Sequence, residues 1–264
     1  MTTQQTTAAA AAATAQAVPE TEVLRLLQVR GSVRDFKPDP IPDAWLDALL
    51  AAGQRAPTSS NIQAYSIVVV KNPATKARLS ELANNQQHII DCPVFLALCA
   101  DITRPQLAAR MHGTKYLGHT FEKGLVASID AALVGMTITL AADSLGLGSV
   151  MIGAMRNRPL EVHDLLGLPR GAYVVFGMCL GFPRTPPVPK PRQPLETVVH
   201  RERYDGSRAR EGLEVYDREL AAYYIGQGRE TPDQAWTQVV AEKFSKPMRT
   251  RLRQELHEMG FDLE

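Results

Sequence analysis

The pattern of apolar and polar positions is dominated by residues 125–157, LVASIDAALVGMTITLAADSLGLGSVMIGAMRN. To about Ser144 this stretch is apolar or small on nearly every face. Leu125, Ile129, Leu133, Met136 and Leu140 recur at the three- and four-residue steps of a helix. Ala127, Ala131, Ala132, Thr137 and Ala141 fill much of the remaining circumference. A helix apolar all round is expected to be buried all round, so this one should run through the interior. A membrane span is disfavoured, because Asp130 and Asp143 would each be costly in lipid. Gly146 and Gly148 then break the helix, and residues 149–152 read as a short buried strand. It empties into Gly153-Ala154, where small residues would let a flat ligand lie against backbone.

The rest of the chain predicts shorter elements. Residues 21–29 form an amphipathic helix with Val23, Leu26 and Leu27 on one face. Pro42-Asp43 opens a second helix over 43–52 with Trp45, Leu46, Leu49 and Leu50 inward, stopped by Gly53 and Pro57. Residues 66–70 and 94–100 read as strands, and 75–82 as a helix that the amide run at 84–88 interrupts. Residues 106–121 are polar and weakly patterned; 158–166 read as a short helix and 173–181 as a fully buried strand. Prolines 183, 186, 187, 189, 191 and 194 send the next segment over the surface. From about residue 209 the chain turns helical, with Leu213, Tyr216, Leu220 and Tyr223 as one stripe; 234–244 and 247–259 continue in that style. Four buried strands among helices indicate a layered α+β or α/β domain. The expected units are a tail over 1–20, a domain over 21–208 and a helical extension over 209–264.

Composition adds exclusions. The 264 residues are 45% hydrophobic and 22% charged, ordinary for a chain with a real core. A net charge of +1 gives no electrostatic case for nucleic acid or an anionic membrane. Cys92, Cys99 and Cys179 sit in apolar stretches with no metal or disulfide spacing, as reduced core thiols of a cytoplasmic protein would. The Thr/Gln/Ala-rich start lacks a cationic beginning and a leucine-rich core, which argues against a secretory signal and for a disordered tail.

Candidate chemistry lies in the polar segments. In Arg30-Gly31-Ser32-Val33-Arg34-Asp35-Phe36, an extended backbone would put Arg30, Ser32 and Arg34 on one side. Two guanidiniums and a hydroxyl suit a phosphate; a solvated polar loop is the plainer reading of this segment alone. Lys190 and Arg192 sit two apart in the proline-rich segment and can likewise face one way. The loop Ala56-Pro57-Thr58-Ser59-Ser60-Asn61-Ile62-Gln63 is crowded with small donors, as plain turn chemistry or as the edge of a heteroaromatic ring would require. His112 and His119 have no carboxylate or cysteine partners at ligand spacing, so no metal site is expected. No nucleophile or dyad stands out.

These segments resemble the flavin-dependent nitroreductases, and more closely the oxygen-insensitive NADPH nitroreductase and FMN reductase group. The likeness runs from about residue 22 to 260. It is carried by the arginine-rich and Pro-Thr-Ser-Ser-Asn segments above, Asn84-Asn85-Gln86, the run from Ser144 to Gly153, and Lys190-Pro191-Arg192. The resemblance implies a three-layer α+β fold, with a mainly antiparallel sheet flanked by helices around a buried central helix and a C-terminal helical extension. It implies FMN held non-covalently between the subunits of an intertwined homodimer. Arg30, Gly31, Ser32, Arg34, Lys190 and Arg192 would take the phosphate and ribityl chain. Thr58, Ser59, Ser60, Asn61 and Gln63 would approach from the adjacent loop, some from the partner chain. Gln86 would reach the ring edge, and Ile152, Gly153, Ala154 and Met155 would lie along the ring.

The implied activity is two-electron, ping-pong hydride transfer from NADPH or NADH to a small acceptor such as a nitroaromatic or quinone, the flavin carrying the chemistry in place of a catalytic side chain. A flavin reductase releasing reduced FMN to a monooxygenase, and a non-catalytic flavoprotein, are the alternatives. Relatives of this group place an arginine soon after the Tyr-Tyr pair of the tail, to grip the 2′-phosphate of NADPH. Here Gln227 falls there, which leaves Arg229, Arg203 or Arg208 to read that phosphate.

Overall fold

The computed structural model describes residues 18–229 and 235–261. The expected tail therefore lies, as far as residue 17, outside the described residues, as does the start of the helix expected from Gln234. Helix α1 (Glu22–Val29) starts where the Thr21 hydroxyl accepts from the Leu24 N–H at 3.3 Å. Helix α2 (Asp43–Gly53) follows, then strand β1 (Tyr65–Val70), α3 (Pro73–Leu82), α4 (Gln87–Asp91) and β2 (Val94–Asp101). After α5 (Thr103–Met111) comes the 24-residue α6 (Phe121–Ser144), then β3 (Gly148–Ile152), α7 (Pro159–Leu165) and β4 (Ala172–Gly181). Helices α8 (Leu195–Val198), α9 (Ala209–Gly226), α10 (Trp236–Phe244) and α11 (Leu252–Glu258) complete the described chain.

The strands form one sheet in the order β1-β2-β4-β3, every neighbouring pair antiparallel. β2 is buried at all eight positions because both its faces are covered. Its alternation splits the core into layers. Phe95, Ala97 and Cys99 pack with Leu79, Leu82, Ile89 and Met155; Val94, Leu96 and Leu98 pack with α2 and α6. A third cluster joins Leu256, Met259 and Phe261 of the C-terminal segment to Tyr173 and Ala127. All three cysteines are free and buried.

Two elements depart from the periodicity. Residues 103–111 are helical although no residue there is buried, so no apolar stripe could announce the helix. α6 corrects the expectation of burial all round. It buries its small face, Gly124, Ala127, Ala131, Val134, Gly135, Ile138 and Ala142. The leucine stripe looks outward within one chain, with Leu125 45%, Ile129 49% and Leu133 39% exposed. Small residues permit close approach. A Cβ on Gly135 would stand 2.7 Å from the Phe176 ring, and one on Gly53 of α2 equally near Ile138. Trp45, expected inward from α2, is also 39% exposed. By length and apolarity α6 could cross a membrane, but its packed face on α2 and the sheet makes it a core helix here.

The two carboxylates of α6 meet opposite fates. Asp130 is 1% exposed; its Oδ1 accepts from the Ser59 N–H at 3.0 Å and its Oδ2 from the Ala64 N–H at 3.1 Å. One side chain thus fixes both ends of the 59–64 loop, in which Ser60, Asn61 and Gln63 have φ of 50–55°. Asp143 has its Oδ2 buried with no hydrogen-bond partner. Burial pushes its carboxyl up to about 6, against the pull of the Arg30 guanidinium.

Asp130→Asn turns one acceptor into an N–H2 facing a backbone N–H. The unmet buried group should destabilise the fold by about 1–3 kcal/mol, read by urea unfolding, and should speed proteolysis within 58–64. For Asp143 the folded pKa lies above the unfolded one. Its ionisation therefore erodes stability as pH rises from about 4 through about 6. Asp143→Asn should be more stable than wild type near neutrality, with the gap closing below about pH 4; a gap independent of pH in thermal unfolding would contradict this.

Candidate functional site

The segment at 30–37 is extended, the condition on which Arg30, Ser32 and Arg34 could share a side, and is sewn to the sheet from outside. Ser32 bridges Ser149 in parallel fashion, with the Val33 N–H donating to the Ser149 carbonyl at 3.0 Å; the Lys37 N–H donates to the Phe182 carbonyl at 2.8 Å. Val33 and Phe36 are buried and anchor the segment, while Ser32 and Arg34 stay exposed. Gly31 is required for the docking, since a Cβ there would lie 2.6 Å from Pro187.

Residues 185–192 face this segment across a cleft of about 760 Å³. Arg30, Gly31, Ser32 and Arg34 line one side and Lys190 and Arg192 the other, with Tyr223, Gln227 and Arg229 contributed from α9 and its end. Among the described residues the one acid in the wall, Asp35, is engaged by Arg184, whose Nε donates to its Oδ1 at 3.0 Å. Arg30 has its Nε buried with no hydrogen-bond partner, its guanidinium standing near Asp143, and among the described residues Arg192 donates to the carbonyls of Lys190 and Pro191. Five cations around one already paired acid make a seat for an anion, and their donor set fits the phosphate of FMN.

The outer wall comes from the tail of the chain. Lys190 Nζ donates to the Tyr224 hydroxyl at 2.9 Å and lies 5.1 Å from the ring centroid; the Arg229 guanidinium lies 5.2 Å from the same centroid. The Tyr223 hydroxyl donates to the Val188 carbonyl at 3.2 Å. Gly228, at φ +69°, turns the chain back so that the Arg229 N–H reaches the Tyr224 carbonyl at 3.1 Å.

The other expected residues lie elsewhere within one chain. Thr58, Ser59, Ser60, Asn61 and Gln63 sit on the loop held by Asp130 and do not line the cleft. Gln86 donates its amide to the Ala83 carbonyl at 2.9 Å. Ile152 and Met155 are core residues, so their side chains cannot lie along a ligand; Gly153 and Ala154 are the partly open members of that turn. Arg249 braces this turn from the C-terminal segment, donating to the Asn157 Oδ1 at 3.1 Å and the Gly153 carbonyl at 3.2 Å. Arg203 and Arg208 share a separate hollow of about 330 Å³ with His200 and Arg201, apart from Arg229. His119 donates Nδ1 to the Gly260 carbonyl at 2.8 Å. Tyr224, Asp130 and Arg249 were absent from the sequence reading as site residues. The signal for Asp130 was a carboxylate on an otherwise apolar helix.

Comparison with known proteins identifies the family. The model of the Nitroreductase family matches residues 27–182, and that of the Nitroreductase family C-terminal domain matches 190–264. The chain is similar to the FMN reductase [NAD(P)H] of Bacillus subtilis, 34% identical over 248 residues, covering 92% of this chain and 99% of that protein. It is equally similar to the oxygen-insensitive NADPH nitroreductase of Salmonella typhimurium, 34% identical over 238 residues, covering 90% and 97%. The solved structure of Bacillus megaterium NfrA2 superposes with a TM-score of 0.90 at 34% identity, covering 93% of this chain and all of that one. With its antiparallel sheet packed on a central helix, and the two family models together matching most of its length, the chain belongs to the nitroreductase family.

Proposed function

We propose that this chain is an FMN-dependent NAD(P)H oxidoreductase that reduces nitroaromatics, quinones or related acceptors. The cleft carries the reading: cations from two segments about 160 residues apart in sequence converge on one space, in a chain of this family. Arg30, Arg34, Lys190 and Arg192 would hold the phosphate, with Ser32 and the Gly31 backbone beside the ribityl chain. Gly153 and Ala154 offer backbone to the ring, and the loop from Thr58 to Gln63, with Gln86, would reach it from an adjoining surface. Bound there, FMN supplies the two-electron hydride acceptor and donor, in alternating ping-pong halves, that no side chain provides. The protein's part is to fix orientation and to place positive charge where negative charge gathers. A second reading, release of reduced FMN to a monooxygenase, is favoured by the Bacillus relative being an FMN reductase.

The 2′-phosphate of NADPH has three candidate readers, of which Arg229 stands in the cleft while Arg203 and Arg208 face their own hollow. NADPH is the expected reductant, with NADH accepted less well. A homodimer is the expected assembly, in the cytoplasm. The outward stripe of α6 and the exposed Leu24 and Leu27 of α1 form an apolar surface that a partner copy would bury. The FMN-binding unit spans 21–208 and the extension 209–264.

The decisive test is anaerobic titration of the FMN-loaded protein. NADPH should bleach the flavin absorbance, a nitroaromatic or quinone should restore it, and failure to bleach with either nucleotide would refute the oxidoreductase. FMN remaining bound through turnover, shown by gel filtration after reaction, would exclude the releasing reductase. Arg34→Ala and Arg192→Ala should each weaken FMN about tenfold, the loss of one charge-assisted contact; wild-type affinity in both would show the phosphate is held elsewhere. Leu133→Glu should convert the dimer to monomer in sedimentation at micromolar concentration, and a wild-type protein that sediments as monomer would remove the need for the experiment and the assembly together.

A further inference from the structure

Two of the cleft's cations share an unusual tether. Among the described residues neither Lys190 nor Arg229 has a carboxylate partner; both lie against the ring of Tyr224, at 5.1 and 5.2 Å from its centroid, and Lys190 also donates to its hydroxyl. We propose that Tyr224 is a positioning residue that presents Lys190 and Arg229 to the anions of the cleft, a role that rests on the reading of the cleft as an FMN and nucleotide site. A lysine ammonium on four rotatable bonds, exposed and untethered, would sample many positions. An acid placed to hold it would also neutralise it. A neutral phenol fixes the ammonium by hydrogen bond and leaves its charge whole.

The helix builds this tether from two neighbouring positions. Consecutive residues project about 100° apart on a helix, so Tyr223 and Tyr224 reach different parts of the opposing segment. Tyr223 takes the Val188 carbonyl and fixes the backbone, and Tyr224 takes the Lys190 ammonium. Arg229 reaches the same ring only because the chain reverses at Gly228. The hydroxyl therefore serves Lys190 alone, and the ring serves Arg229. That division separates two variants: Tyr224→Phe removes the hydroxyl, and Tyr224→Leu removes both supports.

The test measures FMN affinity of the full-length apoprotein by flavin fluorescence quenching, with thermal midpoints and paired NADPH and NADH kinetics. The expected outcome for Tyr224→Phe is FMN binding weakened about threefold to tenfold, the loss of one exposed charge-assisted hydrogen bond, with midpoint and NADPH:NADH preference unchanged. Added to Lys190→Met, Tyr224→Phe should weaken FMN no further, because it acts through that lysine. Tyr224→Leu should bring the NADPH:NADH ratio of kcat/KM down to that of Arg229→Ala. Wild-type FMN affinity in Tyr224→Phe beside a weakened Lys190→Met would overturn the role of Tyr224 and leave the cleft standing. Additive losses in the double variant, or a loss that tracks a fallen midpoint, would mark a merely structural residue and overturn it as well. A ratio unmoved in Tyr224→Leu but moved in Arg229→Ala would remove Arg229 from its charge. If Lys190→Met and Arg34→Ala both bind FMN as wild type does, the cleft itself is misread.

Discussion

Everything near the site depends on how closely α6 can lie against the sheet. Its inward face is built from Gly124, Ala127, Ala131, Gly135 and Ala142, and at Gly135 even a methyl group would strike Phe176. That closeness brings a carboxylate, Asp130, to the level of the loop that leads into β1, where its two oxygens accept the Ser59 and Ala64 N–H groups. A loop with three non-glycine residues at positive φ stores strain, and strain persists only where the surroundings over-determine it. Here a rigid helix and two buried hydrogen bonds supply that determination. Larger residues on the same face would lift the helix and carry Asp130 away from both donors.

The electrostatics of the cleft are local. A chain with net charge +1 gives no hint of a basic site, yet Arg30, Arg34, Lys190, Arg192 and Arg229 meet around one space. Folding gathers them and sets the nearest acid aside: Asp35 is engaged by Arg184, which also donates to the Phe36 carbonyl at 3.0 Å. An exposed pair of this kind adds little stability. Its consequence is positional, since an acid held by one guanidinium is less able to neutralise the others.

How much of this was legible in the sequence follows the range of the interactions. Short-range signals read well: the strands at β1, β2, β3 and β4 and the helix opened by Pro42-Asp43, whereas Arg30, Ser32 and Arg34 share a side only given an extended backbone that the sequence alone did not decide. Where an element lacks a buried face, as α5 does, periodicity has nothing to report. The stripe of Leu125, Ile129 and Leu133 marked α6 as a helix but misassigned its buried side, because alanine and glycine carry little hydrophobic signal while granting the close approach that decides packing. The cleft cations were named in two pairs, and only the register of residues 30–37 against Ser149 and Phe182 shows that the pairs face each other. Asp130 reaches back 71 residues to Ser59, and Arg249 reaches 96 to Gly153; neither distance leaves a local trace.

The C-terminal extension touches the site region at two separated points, and together these constrain what it can be. Through Tyr223 and Arg229 it walls the cation cleft, with Tyr224 behind Lys190 and Arg229; through Arg249 it grips the Gly153 carbonyl and the Asn157 side chain. Peptide groups are planar and trans, so fixing the Gly153 carbonyl also fixes the direction of the Ala154 N–H, which points the opposite way. Arg249 itself sits at φ 53°, an unfavourable conformation for a non-glycine residue, and its two hydrogen bonds are what that conformation delivers. Arg156, in the same turn, is half-buried beside Arg249, and burial together with that neighbouring charge lowers its own pKa. A segment serving only to cover apolar surface would have no cause to set a second cation against a buried first one. The extension therefore does more than cover apolar surface: at the cation cleft and again at the Gly153 turn it sets how charged side chains are turned.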